Sequence, residues 1–213
     1  MIRRFLVAND NKGGKEEQFP LDSIPMFGVI DPGGFAETKL LKRGSRNVII
    51  IGGQPHGSVK KFIVYIDASR VKETQTFIDT WLHANDLWKP RAWWIEVTGP
   101  GQYMKKDMER VRTEKKLSMD IIACPSEVSE NAKADRITSL IRPFEQGEIL
   151  LLDGMPGLLD FQAEYRSYPN STTVDILDAI GWLYRLAWTR QKTEDLNRMN
   201  RDRLKKTVDG MRS

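Results

Sequence analysis

Three short runs of apolar, β-branched residues come first in this chain with no helical pattern between them, and that order constrains the fold most strongly. The runs are Met26–Ile30, Val48–Ile51 and Phe62–Asp67. Turn-like segments separate them, Lys42–Arg46 and Gly52–Ser58, which predicts an antiparallel three-strand meander. The pattern then changes. Glu73–Trp88 places Phe77, Trp81, Leu82 and Leu87 near helical spacing, Arg91–Val97 (RAWWIEV) reads as a strand, and a helix runs to about Glu114. A strand at Ile121–Cys124, a helix over Lys133–Phe144, a short strand at Ile149–Leu152 and helices over Leu158–Tyr165 and Thr173–Trp188 complete the alternation. A meander followed by strand–helix alternation predicts an α/β domain with a mixed sheet, part antiparallel and part parallel, flanked by helices.

The 213 residues suffice for one such domain with short appendages. Residues 1–24 lack periodicity and are expected to be a leader or linker, residues 25–190 the domain, and residues 191–213 a basic helical or disordered tail. From Arg190 to Ser213 there are eight Lys/Arg against four Asp/Glu, an excess that a solvated tail accounts for as readily as a binding surface. The net charge of +4 is compatible with a polyanionic partner without requiring one. A single cysteine, Cys124, excludes an internal disulfide and a cysteine-based zinc site. No run approaches the roughly 18 apolar residues of a membrane span, and the N-terminus turns polar too early for a signal peptide.

Acidic residues stand at three unusual places. Asp31 ends the first run, and Pro32-Gly33-Gly34 forbids its continuation. Glu96 lies near the end of the otherwise apolar WWIEV. Asp175 and Asp178 lie three apart, on one face near the start of a helix. A carboxylate at a strand end before a glycine-rich turn is open to a ligand, as at the sites of open α/β sheets. Each residue also has a plain structural role open to it. Asp31 suits a turn, Glu96 the solvent face of a strand, Asp175 a capping box with Thr172, and Asp178 the polar side of an amphipathic helix. Their combination points further. If the Glu96 strand pairs with the Asp31 strand and the late helix packs on the same edge, the carboxylates form a cluster suited to Mg²⁺ or Mn²⁺. Two such ions about 4 Å apart are a known device for phosphodiester hydrolysis.

Four stretches in this order carry a family resemblance. Gly28-Val29-Ile30-Asp31-Pro32 and Trp94-Ile95-Glu96 look like two metal-ligand strands. Asn131-Ala132-Lys133-Ala134-Asp135-Arg136-Ile137, continuing to Pro143-Phe144-Glu145-Gln146-Gly147, is similar to a K-x-x-R-I … P … E-x-G segment. Tyr168-Pro169 with Val174-Asp175-Ile176-Leu177-Asp178-Ala179 is similar to a closing h-D-D-x-x-D-A run. Together, over about residues 26–188, the chain resembles the C-terminal nuclease domain of the large terminase subunit of tailed bacteriophages, within the RNase H-like superfamily. The resemblance implies a metal-dependent endonuclease that cleaves double-stranded DNA during genome packaging. It implies Asp31, Glu96 and Asp178 or Asp175 as catalytic metal ligands. The family's paired Asp-Asp reads Val174-Asp175 here, so the third ligand stays a choice in which Asp178 is favoured, because Asp175 has a capping role available.

The same resemblance implies a packaging ATPase domain, a portal and a small terminase subunit as partners, in the cytoplasm of an infected bacterial host. The chain holds no G-x-x-x-x-G-K-[ST] phosphate loop, so it reads as a nuclease domain with residues 1–24 as interdomain linker. Lys133 and Arg136, three apart on one helix, are expected to face DNA phosphate or the active-site rim. Lys105 and Lys106, with Arg110, Arg112, Lys115 and Lys116 after them, are expected along a DNA groove. Trp81, Trp182 and Trp188 read as packing rather than base-stacking residues, and His56 as part of a hairpin turn. Two rivals stand beside this reading: another RNase H-like nuclease, such as a junction resolvase or an RNase H, and a non-catalytic basic DNA-binding or portal-docking module.

Overall fold

The computed structural model describes residues 5–8, 17–33, 46–70, 73–98, 101–127, 129 and 131–188. Strands β1 (Phe5–Ala8) and β2 (Glu17–Pro20) pair antiparallel, giving the expected linker region a two-stranded ladder. Phe19 meets the Phe62 ring edge-on at 5.6 Å and Ile24 is buried, so the end of this region packs on the domain. The predicted tail over 191–213 and most of the turn over 42–46 lie outside the described residues.

The main sheet contains β3 (Met26–Asp31), β4 (Asn47–Gly53), β5 (Lys61–Ser69), β6 (Ala92–Ile95), β7 (Asp120–Ala123) and β8 (Ile149–Leu151). Its spatial order is β7-β6-β3-β4-β5-β8. The β3–β4 and β4–β5 pairs are antiparallel, the predicted meander, whereas β3–β6, β6–β7 and β5–β8 are parallel. This is the mixed sheet of the RNase H-like fold. The central strands are buried on both faces, with Val48, Ile49, Ile50 and Ile51 fully inaccessible, as a sheet covered by helices on both sides requires.

Side-chain alternation divides the core into two layers. On one face, Ile30, Ile49, Ile51 and Trp93 pack against α1 (Thr74–Trp88) and α2 (Gly101–Glu114). On the other, Val29, Val48, Ile50 and Trp94 meet α3 (Ala132–Thr138), α5 (Leu158–Ser167) and α6, the helix over residues 175–188. The single helix predicted over 133–144 is two, because α4 (Ile141–Glu145) begins anew after Leu140. Pro143 has no N–H to give the Ser139 carbonyl, and the Leu140 N–H turns to the Ile137 carbonyl (3.0 Å), leaving the Arg136 carbonyl to the Ser139 hydroxyl (2.6 Å), so the first helix ends there. Trp81, Trp182 and Trp188 are buried packing residues.

Gly28 sets the spacing of β3 and β6. A Cβ at this position would stand 2.1 Å from the Trp93 ring, and the Trp93 indole is itself fixed by donating to Asn85 Oδ1 (3.1 Å). Strand direction fixes where the ends fall. β3 and β6 run the same way and β4 the opposite way, so Asp31 and Glu96 emerge at one end of the sheet. The His56 turn between β4 and β5 sits at the other end. Among the described residues no helix is long and apolar enough to cross a membrane.

Candidate metal centre

The register of β3 on β6 places the first two carboxylates together. Val29 pairs with Trp94 and Ile30 with Ile95, so Asp31 and Glu96 follow in step, and the Glu96 N–H donates to the Ile30 carbonyl (3.0 Å). Alternation then turns both side chains to the face holding Val29 and Trp94, the face on which α6 packs. Helix α6 contributes Asp178, and oxygens of Asp31, Glu96 and Asp178 all lie within 4.8 Å of one another. Gly101 lets the chain close tightly beneath this end of the sheet, since a Cβ there would stand 1.9 Å from the Glu96 carbonyl oxygen.

Asp178 is buried and held by cations. Arg136 Nε donates to its Oδ1 (2.8 Å), and Lys133 Nζ lies 3.4 Å from its Oδ2. The Arg136 guanidinium stacks on the Trp182 ring at 4.0 Å and donates to Glu127, which also takes Arg185. Arg136 is therefore a buried strut of the site, with its charge facing two carboxylates rather than solvent. Gly181 allows this approach of α3 to α6, as a Cβ there would come within 3.0 Å of the Arg136 Cβ. Lys133 also reaches Asp175 Oδ1 at 3.4 Å.

Asp175 stands apart from the converging trio. Its Oδ2 accepts the Arg46 backbone N–H (3.1 Å), and it is not the capping-box partner of Thr172. The first α6 amides go instead to Glu164 of α5, whose Oε2 accepts from Ile176 (3.0 Å) and Leu177 (3.3 Å). A carboxylate in a neighbouring helix has displaced the local cap that the sequence offered.

Asp31, Glu96, Lys133, Arg136, Asp175 and Asp178 line an open cleft of about 540 Å³, together with Cys124. Its electrostatics are those of a carboxylate cluster short of counter-charge. Burial, and then the neighbouring Glu96, push the Asp31 carboxyl up to about 8, with Asp178 and Asp175 adding to the effect against Lys133. Burial disfavours the Lys133 ammonium, yet Asp178, Asp175 and Asp31 outweigh it and hold its pKa above the ordinary lysine value. The Cys124 thiol is pushed up by burial and by Glu96 and Asp31, which leaves it an inert packing residue. Three hard oxygen donors converging from two strand ends and a helix fit a divalent cation such as Mg²⁺ or Mn²⁺.

No protein-family model matches this chain and no curated protein matches it in sequence. Its backbone does match solved structures. The human cytomegalovirus terminase nuclease domain aligns with a TM-score of 0.56 at 12% identity, over 78% of this chain and 85% of that one. The P22 large terminase nuclease domain aligns with a TM-score of 0.53 at 13% identity, over 76% and 81%. A mutant nuclease domain of the large terminase subunit of bacterial virus Sf6, with manganese and beta-thujaplicinol, gives 0.50 at 8% identity, over 74% and 86%. The fold is that of the terminase nuclease domains.

Within this terminase-like fold, the structure assembles some of the anticipated residues and not others. Asp31, Glu96 and Asp178 meet, with Lys133 and Arg136 on the α6 side of the cleft. Lys105 and Lys106 stand on α2, outside the cleft lining, and Lys105 pairs with Glu109 along the helix. Three supporting residues were not anticipated: Arg46, Glu127 and Glu164. Arg46 and Glu127 sit in irregular segments with no periodic signal. Glu164 had one, since it follows Phe161 by three on the buried stripe of α5, where an apolar residue is expected.

Proposed function

We propose that this chain is a divalent-metal-dependent endonuclease acting on double-stranded DNA, the nuclease domain of a genome-packaging terminase. The observation that carries this is the convergence of Asp31, Glu96 and Asp178 within 4.8 Å at one end of an RNase H-like sheet. Support for the metal comes from the donor chemistry and from the solved relatives, a human cytomegalovirus domain soaked with manganese and the Sf6 domain holding manganese. Asp178 is the third ligand in this reading, because its oxygen joins those of Asp31 and Glu96 within 4.8 Å while Asp175 stands outside that group. Bound Mg²⁺ or Mn²⁺, two ions in the full site, supplies Lewis-acid charge at the scissile phosphate and lowers the pKa of the attacking water.

The chain's own residues do the rest. Asp31 and Glu96 offer carboxylate oxygens from rigid strand ends. Arg136 orients Asp178 through a charge-assisted hydrogen bond, and Lys133 balances the charge of the Asp175–Asp178 pair. DNA enters along the open cleft, with Lys105 and Lys106 contacting phosphate from α2 without sequence choice. A packaging ATPase domain, a portal and a small terminase subunit complete the assembly, in the cytoplasm of an infected bacterial host.

The test is a plasmid-nicking assay with Mn²⁺ or Mg²⁺, run on wild type, Asp31→Ala, Glu96→Ala and Asp178→Ala. Wild type nicks and EDTA stops it, while the three variants fall to background. Equal nicking by all four, or indifference to EDTA, overturns the reading.

A further inference from the structure

We propose that Glu164 is a positioning residue for the metal centre, holding Asp178 at the other two carboxylates by capping α6 from outside that helix. This rests on the reading of Asp31, Glu96 and Asp178 as metal ligands. The first N–H groups of any α-helix lack intrahelical partners, and a buried helix start must find acceptors elsewhere. In α6 those amides lie directly before Asp178: Ile176 and Leu177 donate to a single oxygen, Glu164 Oε2, at 3.0 and 3.3 Å. The other oxygen accepts from the Thr173 hydroxyl (3.2 Å), so both ends of the carboxylate grip the α6 entry.

Glu164 is only 2% exposed, so its placement has an energetic cost that needs a return. Burial, the largest influence, raises its pKa, while the hydrogen bond from Leu177 and the nearby Arg46 oppose that rise. The return is a negative charge at the positive end of the helix dipole, with three donors satisfied at once. Arg46 joins this support to the cleft. Its guanidinium lies 3.2 Å from Asp160 Oδ1 and 3.9 Å from Glu164 Oε1, while its backbone N–H holds Asp175.

The consequence is geometric. Rotating the first turn of α6 by one residue swings a side chain by about 100°, which removes Asp178 from the cleft. Strand pairing fixes Asp31 and Glu96 directly; α6 packs on Val29 and Trp94, and a separate contact fixes its first turn. Glu164 does so on the N-terminal side of Asp178, and Arg136 holds the carboxylate itself. Glu164 touches none of the three carboxylates through a hydrogen bond or ion pair, so it acts through the helix.

The experiment combines amide hydrogen exchange with Mn²⁺ titration calorimetry on the full chain. The variants are Glu164→Ala, Glu164→Gln, which keeps an acceptor, and Thr173→Val, which removes only the hydroxyl gripping Glu164. Glu164→Ala is expected to speed exchange at Ile176 and Leu177 and to weaken Mn²⁺ binding about tenfold, as loss of an outer-shell support does. Glu164→Gln restores most of both. Cleavage per folded molecule, with the folded fraction taken from circular dichroism, falls in kcat with KM for DNA little changed. Should Glu164→Ala not fold by circular dichroism, Thr173→Val carries the comparison, with a smaller shift in the same two readouts. Wild-type Mn²⁺ affinity and unchanged exchange in the folded variants overturn the role of Glu164 alone. Absence of Mn²⁺ binding by wild type overturns the metal reading and the positioning role together, while the exchange data still decide whether Glu164 caps the helix.

Discussion

The two halves of the carboxylate cluster are built by different means. Asp31 and Glu96 stand on adjacent parallel strands, and their placement follows from backbone hydrogen bonds such as Glu96 N–H to the Ile30 carbonyl (3.0 Å). Asp178 stands on a helix whose position is set by side chains: Arg136 and Lys133 on its carboxylate, and Glu164 on the amides before it. A strand ladder is held by repeated backbone hydrogen bonds and needs no polar side chain, whereas a polar strut fails when one member is lost. The site is therefore rigid on the sheet side and conditional on the helix side.

The largest effect on stability is expected on the helix side. Arg136→Ala leaves Asp178 and Glu127 facing each other without the guanidinium between them, and removing one partner of a buried ion pair costs about 3–5 kcal/mol. Urea unfolding checks this, and a loss below about 1 kcal/mol, the range of surface ion pairs, refutes the strut.

Next is a steric break on the sheet side. Gly28→Ala drives a methyl group against the Trp93 ring, and overpacking of this sort costs about 1–3 kcal/mol. Because β3 and β6 must part for it to fit, Mn²⁺ affinity should fall along with the melting temperature. Unchanged affinity at a lowered melting temperature shows that the strand pair absorbs the strain away from Asp31 and Glu96.

A third effect separates the two halves by charge. The Asp31 carboxyl, pushed up to about 8 by burial and by Glu96, binds its proton more tightly in the folded than in the unfolded chain. Its contribution to metal-free stability is complete below about 4 and is lost as pH climbs to about 8. Asp31→Asn, which cannot ionise, should accordingly raise the metal-free melting temperature relative to wild type at pH 8 and leave it little changed at pH 4. Scanning calorimetry in EDTA measures both, and an equal difference at the two pH values rules out this origin. Mn²⁺ stabilises wild type at pH 8 and has no such effect on Asp31→Asn.

Much of this molecule was legible from residue order. The meander, the strand–helix alternation and the carboxylates at strand ends depend on local apolar periodicity and on where Pro and Gly interrupt it, as at Asp31-Pro32. The parallel pairing of the Asp31 and Glu96 strands was conditional on sequence grounds, and the β3–β6 register now supplies it. The break of the 133–144 helix traces to Pro143, a residue visible in the sequence, while the Arg136 carbonyl that the break frees is taken up by the Ser139 hydroxyl.

What the sequence determined by itself, then, is the order of elements and the chemical type of the site, because both follow from patterns within a few residues. Tertiary structure alone decided which aspartate joins the trio and what holds it there. Thr172 and Asp175 offered a local cap, yet Glu164, from a different helix, takes the α6 amides, and Arg46 takes Asp175. Those partners lie from about ten to well over a hundred residues from the groups they bind. Pairings of that kind are set by how helices pack on a sheet face, and no local pattern encodes them.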